Sequence, residues 1–386
     1  MSLLSIPSVT GSMYVSSSYG TMGQGLTDRV FIVGHGDGLE LNDPYHVTDI
    51  AAACKALNLD STSPIIRTML EVYYGGGLDI WLVAAAPMSE YIEDPAQRDT
   101  AYYQTYADRL EVTYSLLEFW DLVQILVLTE APFYDAKSVD FVNPLIRHCK
   151  SSFGVTGSIR VGLVGTRVGS ALSQFDVDNM INDSRIGNWG SGGKFVSILA
   201  GEGTYSFAEM PASYTGSVIG AAAANMATLD LKLSLVYKTL PGIVKPIGIL
   251  TKSMMSQLAE AQINPTSMTS IGARGKPYQL VMMTDNTLAL PGSDFWSLGQ
   301  IRLIMAIISQ LELSARRSLG TIGYGQYKYD NKSFMDTLQA SGYLKKYTLD
   351  ISRNPIDSNG IIISVSVTPY FDLRQISFTT TIGPGR

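Results

Sequence analysis

The sequence predicts an α/β (α+β) protein with a mainly parallel α/β N-terminal domain, a mixed α+β C-terminal domain and extended arms at both ends. Three observations carry this. Short continuous apolar runs alternate with amphipathic stretches over the first two thirds of the chain, as expected of strands buried on both faces and covered by helices. The texture changes near Pro246, where longer helices and shorter, more polar strands take over. Both chain ends read as ribbon rather than as packed body.

The elements follow in order. Residues 29–34 (RVFIVG) form a buried strand leaving into the Gly-rich turn His35-Gly36-Asp37-Gly38. Residues 47–57 are an amphipathic helix starting near Thr48 or Asp49. The stretch 63–74 carries Pro64 in its first turn and ends at three glycines, which marks a helix. Strands are expected at 78–84, 122–128, 159–164 and 194–200, and helices at 101–119, 139–151 and 214–229. Beyond Pro246, residues 252–262 read as a helix broken by Ile263-Asn264-Pro265, and 278–283 with 287–290 as a hairpin. Asp294 is a candidate N-cap for a long helix with Ile301, Ile304, Met305, Ile308, Leu311 and Ala315 on one face. A helix over 332–340 ends at Gly342, followed by a strand at 347–352.

The last residues alternate with period two. Ile361, Ile363, Val365 and Val367 interleave with Ile362, Ser364, Ser366 and Thr368; after Pro369, Ile376, Phe378, Thr380 and Ile382 interleave with Ser377, Thr379 and Thr381. Such runs are half-buried strands, and a terminal strand with no helix to cover it exposes unpaired backbone groups. Unless it folds back, it seeks a sheet edge on another molecule. Residues 1–24 are Ser-, Thr- and Gly-rich, with Ile6, Val9 and Val15 among scattered apolar anchors and no charge before Asp28. No signal-peptide pattern is present there. The division expected is an arm at 1–24, an α/β domain at 25–245 (with 87–200 as a candidate inserted outer subdomain), a core domain at 246–368 and a second arm at 369–386.

The 386 residues are 46% hydrophobic and only 16% charged, as suits a subunit covered by copies of itself. The net charge of −6 is uneven: residues 1–245 hold 15 Lys/Arg and 25 Asp/Glu (−10), and residues 246–386 hold 13 and 9 (+4). A basic half on an acidic protein suits an acidic partner. Nucleic acid is a poor candidate, since no basic run has interleaved aromatics. The apolar run around 218–224 is too short to span a bilayer. With Cys54 and Cys149 alone, there is no disulfide framework, and synthesis in a reducing cytosol is expected.

The residues offer little for catalysis. His35, His46 and His148 have no metal-like spacing, and neither cysteine has a CxxC partner. The Gly34–Gly38 turn lacks dinucleotide-fingerprint spacing. Residues 190–194 (GSGGK) superficially resemble a P-loop, but Asn188 replaces the first glycine and Phe195 the Ser/Thr that would hold magnesium. No GxSxG elbow occurs. No catalytic residue, cofactor or metal site is expected.

The C-terminal third has an ordered set of parts: AQINP closing a helix at Ile263-Asn264-Pro265, a Thr287-Leu288 element, a long helix with Arg302 near its start, Gly342-Tyr343-Leu344, and VSVTPYFDLRQISFTTTI at the end. In that order they resemble the C-terminal domain of contractile-tail sheath proteins, as in myovirus-type phages and R-type pyocins. The chain departs in having one Arg where many such proteins have two. The resemblance implies a structural, non-enzymatic subunit that polymerises with itself in stacked hexameric rings around a tail tube. It also implies baseplate and tail-terminator partners, assembly in the host cytoplasm into a virion tail, and arms that add strands to a neighbour's sheet. Residues 6, 9, 15, 376, 378, 380 and 382 would be those arms' anchors. Arg302, Arg316, Arg317, Lys345 and Lys346 would face the tube. The alternatives are an α/β enzyme with an unrecognised site, or another tail or baseplate component with a sheath-like domain.

Overall fold

A computed structural model describes residues 29–370 except 57–62, 95–96, 121–122, 134–138, 157, 167–172, 183–188, 190–191, 248–249, 270–278, 291–292, 294, 319–322 and 354–360. The predicted arms, with Ile6, Val9, Val15, Ile376, Phe378, Thr380 and Ile382, lie outside the described residues, as does Asp294.

The body is built on one eight-stranded sheet in the order β11-β10-β6-β5-β4-β1-β3-β2. Its strands are β1 (Arg29–His35), β2 (Tyr45–Val47), β3 (Asp79–Ala86), β4 (Ile125–Phe133), β5 (Val161–Thr166), β6 (Val196–Ala200), β10 (Ile263–Thr269) and β11 (Gln279–Met282). The six from β10 to β3 run parallel, and β2 and β11 close the edges antiparallel. Continuous apolar strands are what a two-sided parallel sheet requires, and residues 30–33 and 125–128 are fully buried.

One face is covered by α2 (Pro64–Tyr74) and α6 (Ile219–Thr228), and the other by α3 (Thr100–Leu117) and α4 (Val139–Thr156). The short helices α1 (Ile50–Ala56) and α5 (Gln174–Asn182) flank them. The Asp49 carboxylate accepts from Ala52 N at 3.0 Å and caps α1. Asp99 does the same for α3. Helix α6 packs closely on α2 because it is made of small residues: a Cβ on Gly220 would lie 2.3 Å from Glu71 Oε2. Beside them sits a three-stranded sheet, β8-β7-β9, of Glu202–Tyr205 (β7), Tyr214–Ser217 (β8) and Ile243–Ile247 (β9).

A second, smaller core follows. Helix α8 (Leu298–Ser318) runs out of the main body, α9 (Tyr324–Ala340) packs against it, and β12 (Leu344–Arg353) and β13 (Ile361–Pro369) form a separate two-stranded sheet over them. Ile301 and Met305 of α8 belong to the main core, whereas Leu303, Ala306, Ile307 and Leu311 belong to the second. The helix is therefore apolar on two faces because it joins two cores. Its segment Leu298–Ala315 is long and apolar enough to cross a membrane by length and composition alone, and 50% of it is buried within the protein.

Several expectations are corrected. The strands β10 and β11 belong to the same sheet as β1, so a boundary at 245/246 does not separate two sheets. Of residues 87–200, the strands β4, β5 and β6 lie centrally in that sheet. The helix expected over 214–229 starts at Ile219, because Tyr214–Ser217 pairs with β7. The helix expected at 252–262 ends at Glu260, and Ile263-Asn264-Pro265 after it opens β10 beside β6. No 278–283/287–290 hairpin forms: β11 pairs with β10, and Leu288 N bonds to Val196 O. The helix expected at 332–340 starts eight residues earlier, at Tyr324.

Candidate assembly surface

The residues that carried the resemblance are internal braces. Asn264 is fully buried. Its Nδ2 donates to Ser197 Oγ (2.7 Å), Asn286 O (2.7 Å) and Ile198 O (3.1 Å), while its Oδ1 accepts from Thr284 Oγ1 (2.8 Å) and Asn286 N (2.6 Å). One side chain thus ties β6, β10 and the loop after β11. Thr287 Oγ1 donates to Phe295 O. Asp285, buried at the start of α8, accepts from Ser297 Oγ at 2.8 Å and Gly299 N at 3.3 Å, the role assigned from sequence to Asp294.

Arg302, a tube-facing candidate by sequence, lies inside the protomer. It is 1% exposed, and its guanidinium donates to Leu229 O beyond the C-terminal end of α6, where a cation meets the negative end of the helix dipole. Burial holds its pKa down to about 10, while the charges of Asp230 and Asp285 act against that shift. Lys345 and Lys346 are exposed at the start of β12, where the pairing register with β13 shifts. Arg316 and Arg317 lie in the last turn of α8.

The candidate surface is the β12–β13 ribbon. In register, Tyr347, Leu349 and Ile351 stand opposite Val367, Val365 and Ile363; five of them pack on the second core, and Ile351, on the same face, is buried. Thr348, Asp350 and Ser352, opposite Ser366, Ser364 and Ile362, point away from it. This is the period-two alternation of a sheet with one solvated face. Gly342 (φ 76°) ends α9 and turns the chain into β12, with Tyr343 N bonding back to Leu338 O. Tyr324 Oη donates to Ile351 O and ties the ribbon to α9, while Asn331 Nδ2 donates to Tyr327 O within the helix. The first terminal run, predicted as an open strand, thus has one edge paired within its own chain. Among the described residues, nothing pairs with the other edge of β13 or the outer edge of β12.

Aromatic side chains fill the crevice beyond the carboxyl end of β1. Open doubly wound sheets bind ligands at the carboxyl ends of strands where the order reverses, here beyond β1. His35 lies there, buried and stacked at 4.3 Å on Tyr106 with Tyr91 and Tyr102 around it, and Asp37 accepts from Met88 N. Burial and the neighbouring Arg160 push the His148 pKa down to about 3; its Nε2 lies 2.8 Å from Arg160 Nη1. Burial raises the Cys149 thiol to about 12. Among the described residues, no group of three or more His, Cys, Asp or Glu is placed to hold a metal ion.

By sequence, no protein-family description and no curated protein matches the chain. By structure, the fold is that of contractile-sheath subunits. The contracted PVC sheath complex of an extracellular contractile injection system matches with a TM-score of 0.65 at 12% identity, over 99% of this chain and 98% of that one. A chain of the anti-feeding prophage baseplate matches at 0.63 and 12% identity, over 99% and 100%. The sheath tail protein of Listeria innocua matches at 0.60 and 9% identity, over 89% and 92%.

Proposed function

We propose that this chain is a structural, non-enzymatic subunit of a contractile tail sheath. It polymerises with itself as stacked hexameric rings around a tail tube, joins a baseplate and a tail terminator, and shortens to drive the tube through an envelope. The observation that carries this is whole-length agreement, in both directions, with a contracted-state sheath fold. The ribbon with unpaired edges supports it.

Assembly is by β-augmentation: a neighbour's terminal segment lies along the ribbon, main-chain hydrogen bonds give the affinity, and alternate side chains set the register. The strands supplied are the N-terminal segment with Ile6, Val9 and Val15 and the C-terminal segment with Ile376, Phe378, Thr380 and Ile382. A heterologous contact that does not close generates a helix. Lys345 and Lys346, with Arg316 and Arg317, serve the tube face. Contraction is a rigid-body rearrangement with the arms still paired, out of an extended state held by a kinetic barrier. About 1–3 kcal/mol per subunit, the scale of allosteric coupling, sums to large work over many copies. The assembled particle is a tail put together in the host cytoplasm.

Deleting residues 375–386 tests the arms. Soluble protomers with no ordered sheath support the reading, and normal contractile cylinders refute it. The match to a baseplate chain favours one other reading, a baseplate component; discrete rings or wedges in micrographs of the purified protein would identify that instead.

A further inference from the structure

A groove of about 1190 Å³ runs between the two cores, larger than the roughly 300–1,000 Å³ of ordinary small-molecule pockets. Helix α7 (Lys252–Glu260) walls one side and α8 with β13 the other. Its apolar lining includes half-buried Phe295, Trp296, Ile304 and Ile308. On β13, the consecutive residues 365–369 all line it. Neighbouring strand residues point to opposite faces, so the groove follows the unpaired edge of β13 and not one of its faces.

The chain itself indicates what fits there. The described residues end at Tyr370, one residue beyond the groove wall at Pro369, and sixteen residues follow. Between the end of β13 at Pro369 and Ile376 lie six residues, 370–375 (YFDLRQ), one more than the about 2–5 of most hairpin loops, and this length sets Ile376 opposite Pro369 and Phe378 opposite Val367. Residues 376–382 then alternate apolar and polar in the same period as β13. Running back antiparallel, they would reach from Pro369 past Val365, and Ile376, Phe378 and Ile382 would share the face of Val365 and Val367, towards α8. Charge agrees: Glu260 is the one charged side chain among the described residues of the lining, and residues 371–386 carry Arg374 and Arg386 against Asp372.

We propose that in the free protomer residues 376–382 occupy this groove as a third strand on the protomer's own β13, and that assembly transfers the same strand to a neighbour. The ribbon edge is then covered before polymerisation, as edge strands of soluble proteins must be, and assembly is a domain swap of an identical element. This rests on the sheath reading for its second half only.

Amide hydrogen exchange on dilute, dissociated protomers tests it, comparing the full chain with one ending at Tyr370. The alternate β13 amides that do not bond to β12 should exchange about tenfold or more slowly in the full chain, independently of protein concentration. A synthetic peptide of residues 371–386 should restore protection to the truncated chain. Ile308→Asp in the full chain should bring those amides to the truncated rate while β4 and β5 amides keep theirs. Equal rates in full and truncated chains, or protection that grows with concentration, overturn the proposal. Electron microscopy of the same preparations separates the two claims. Cylinders without monomer protection leave the sheath reading intact and remove the parked strand. Protection without cylinders does the reverse.

Discussion

Asn264 does the work of a brace at the scale of a single residue. All of its polar atoms are spent inside the protein, so Asn264→Ala leaves Asn286 N and Thr284 Oγ1 without their acceptor. A cost of about 2–3 kcal/mol is expected, read by urea denaturation of the dissociated protomer; a change below about 0.5 kcal/mol would contradict the role. Glu71 makes a second prediction. It is buried on α2 against Tyr214 Oη at 2.9 Å. Burial raises its carboxyl from 4.5 to about 8, although Tyr214, Arg67 and the Gly220 amide favour the charge. The folded state holds a proton that the unfolded chain releases. Its contribution is therefore complete below pH 4.5 and drains away as pH rises towards 8. Glu71→Gln should flatten the fall in stability over that window, and an unchanged slope in thermal melts would rule the assignment out.

Local signals set the elements that read correctly from sequence. Pro64 at the start of α2 and Gly342 after α9 fix chain direction through backbone geometry alone. At Gly342 the positive φ makes Gly342→Val costly by about 1–2 kcal/mol, with the loss expected in the ribbon's exchange protection before that of the main sheet. The misread elements needed partners that sequence does not name. Tyr214–Ser217 looks like the first turn of a small-residue helix, but β7 recruits it as a strand. Ile263-Asn264-Pro265 follows the end of α7 as a helix stop should, but only β6 supplies the ladder that also makes it strand. Helix α8 showed one apolar face because Leu303 and Ile307 meet a core that exists only once α9 and the ribbon are in place. Arg302 read as a surface cation because nothing local announces that it caps a helix about seventy residues earlier.

Taken whole, the chain joins a two-stranded ribbon to a body built on one large sheet. The parallel sheet with its covered faces supplies the body, α8 carries its order into the second core, and the ribbon projects two strands whose outer edges have no strand beside them among the described residues. The α/β and α+β character was legible in strand–helix alternation. The single sheet spanning residues 29–282 was not, since strand order is decided by long-range packing. The lysine pair at the ribbon's base carries a further expectation. Lys345→Glu with Lys346→Glu should leave the protomer's melting temperature unchanged and weaken its salt-sensitive attachment to an acidic tube. Attachment at undiminished strength would remove those lysines from the tube face.

The most direct test is a helical reconstruction from cryo-electron micrographs of the purified, polymerised protein. Hollow cylinders of six-fold rings are expected, with a strand from an adjoining subunit completing each β12–β13 ribbon. Particles that remain dispersed, or cylinders whose ribbons receive no strand from any neighbour, would contradict this expectation.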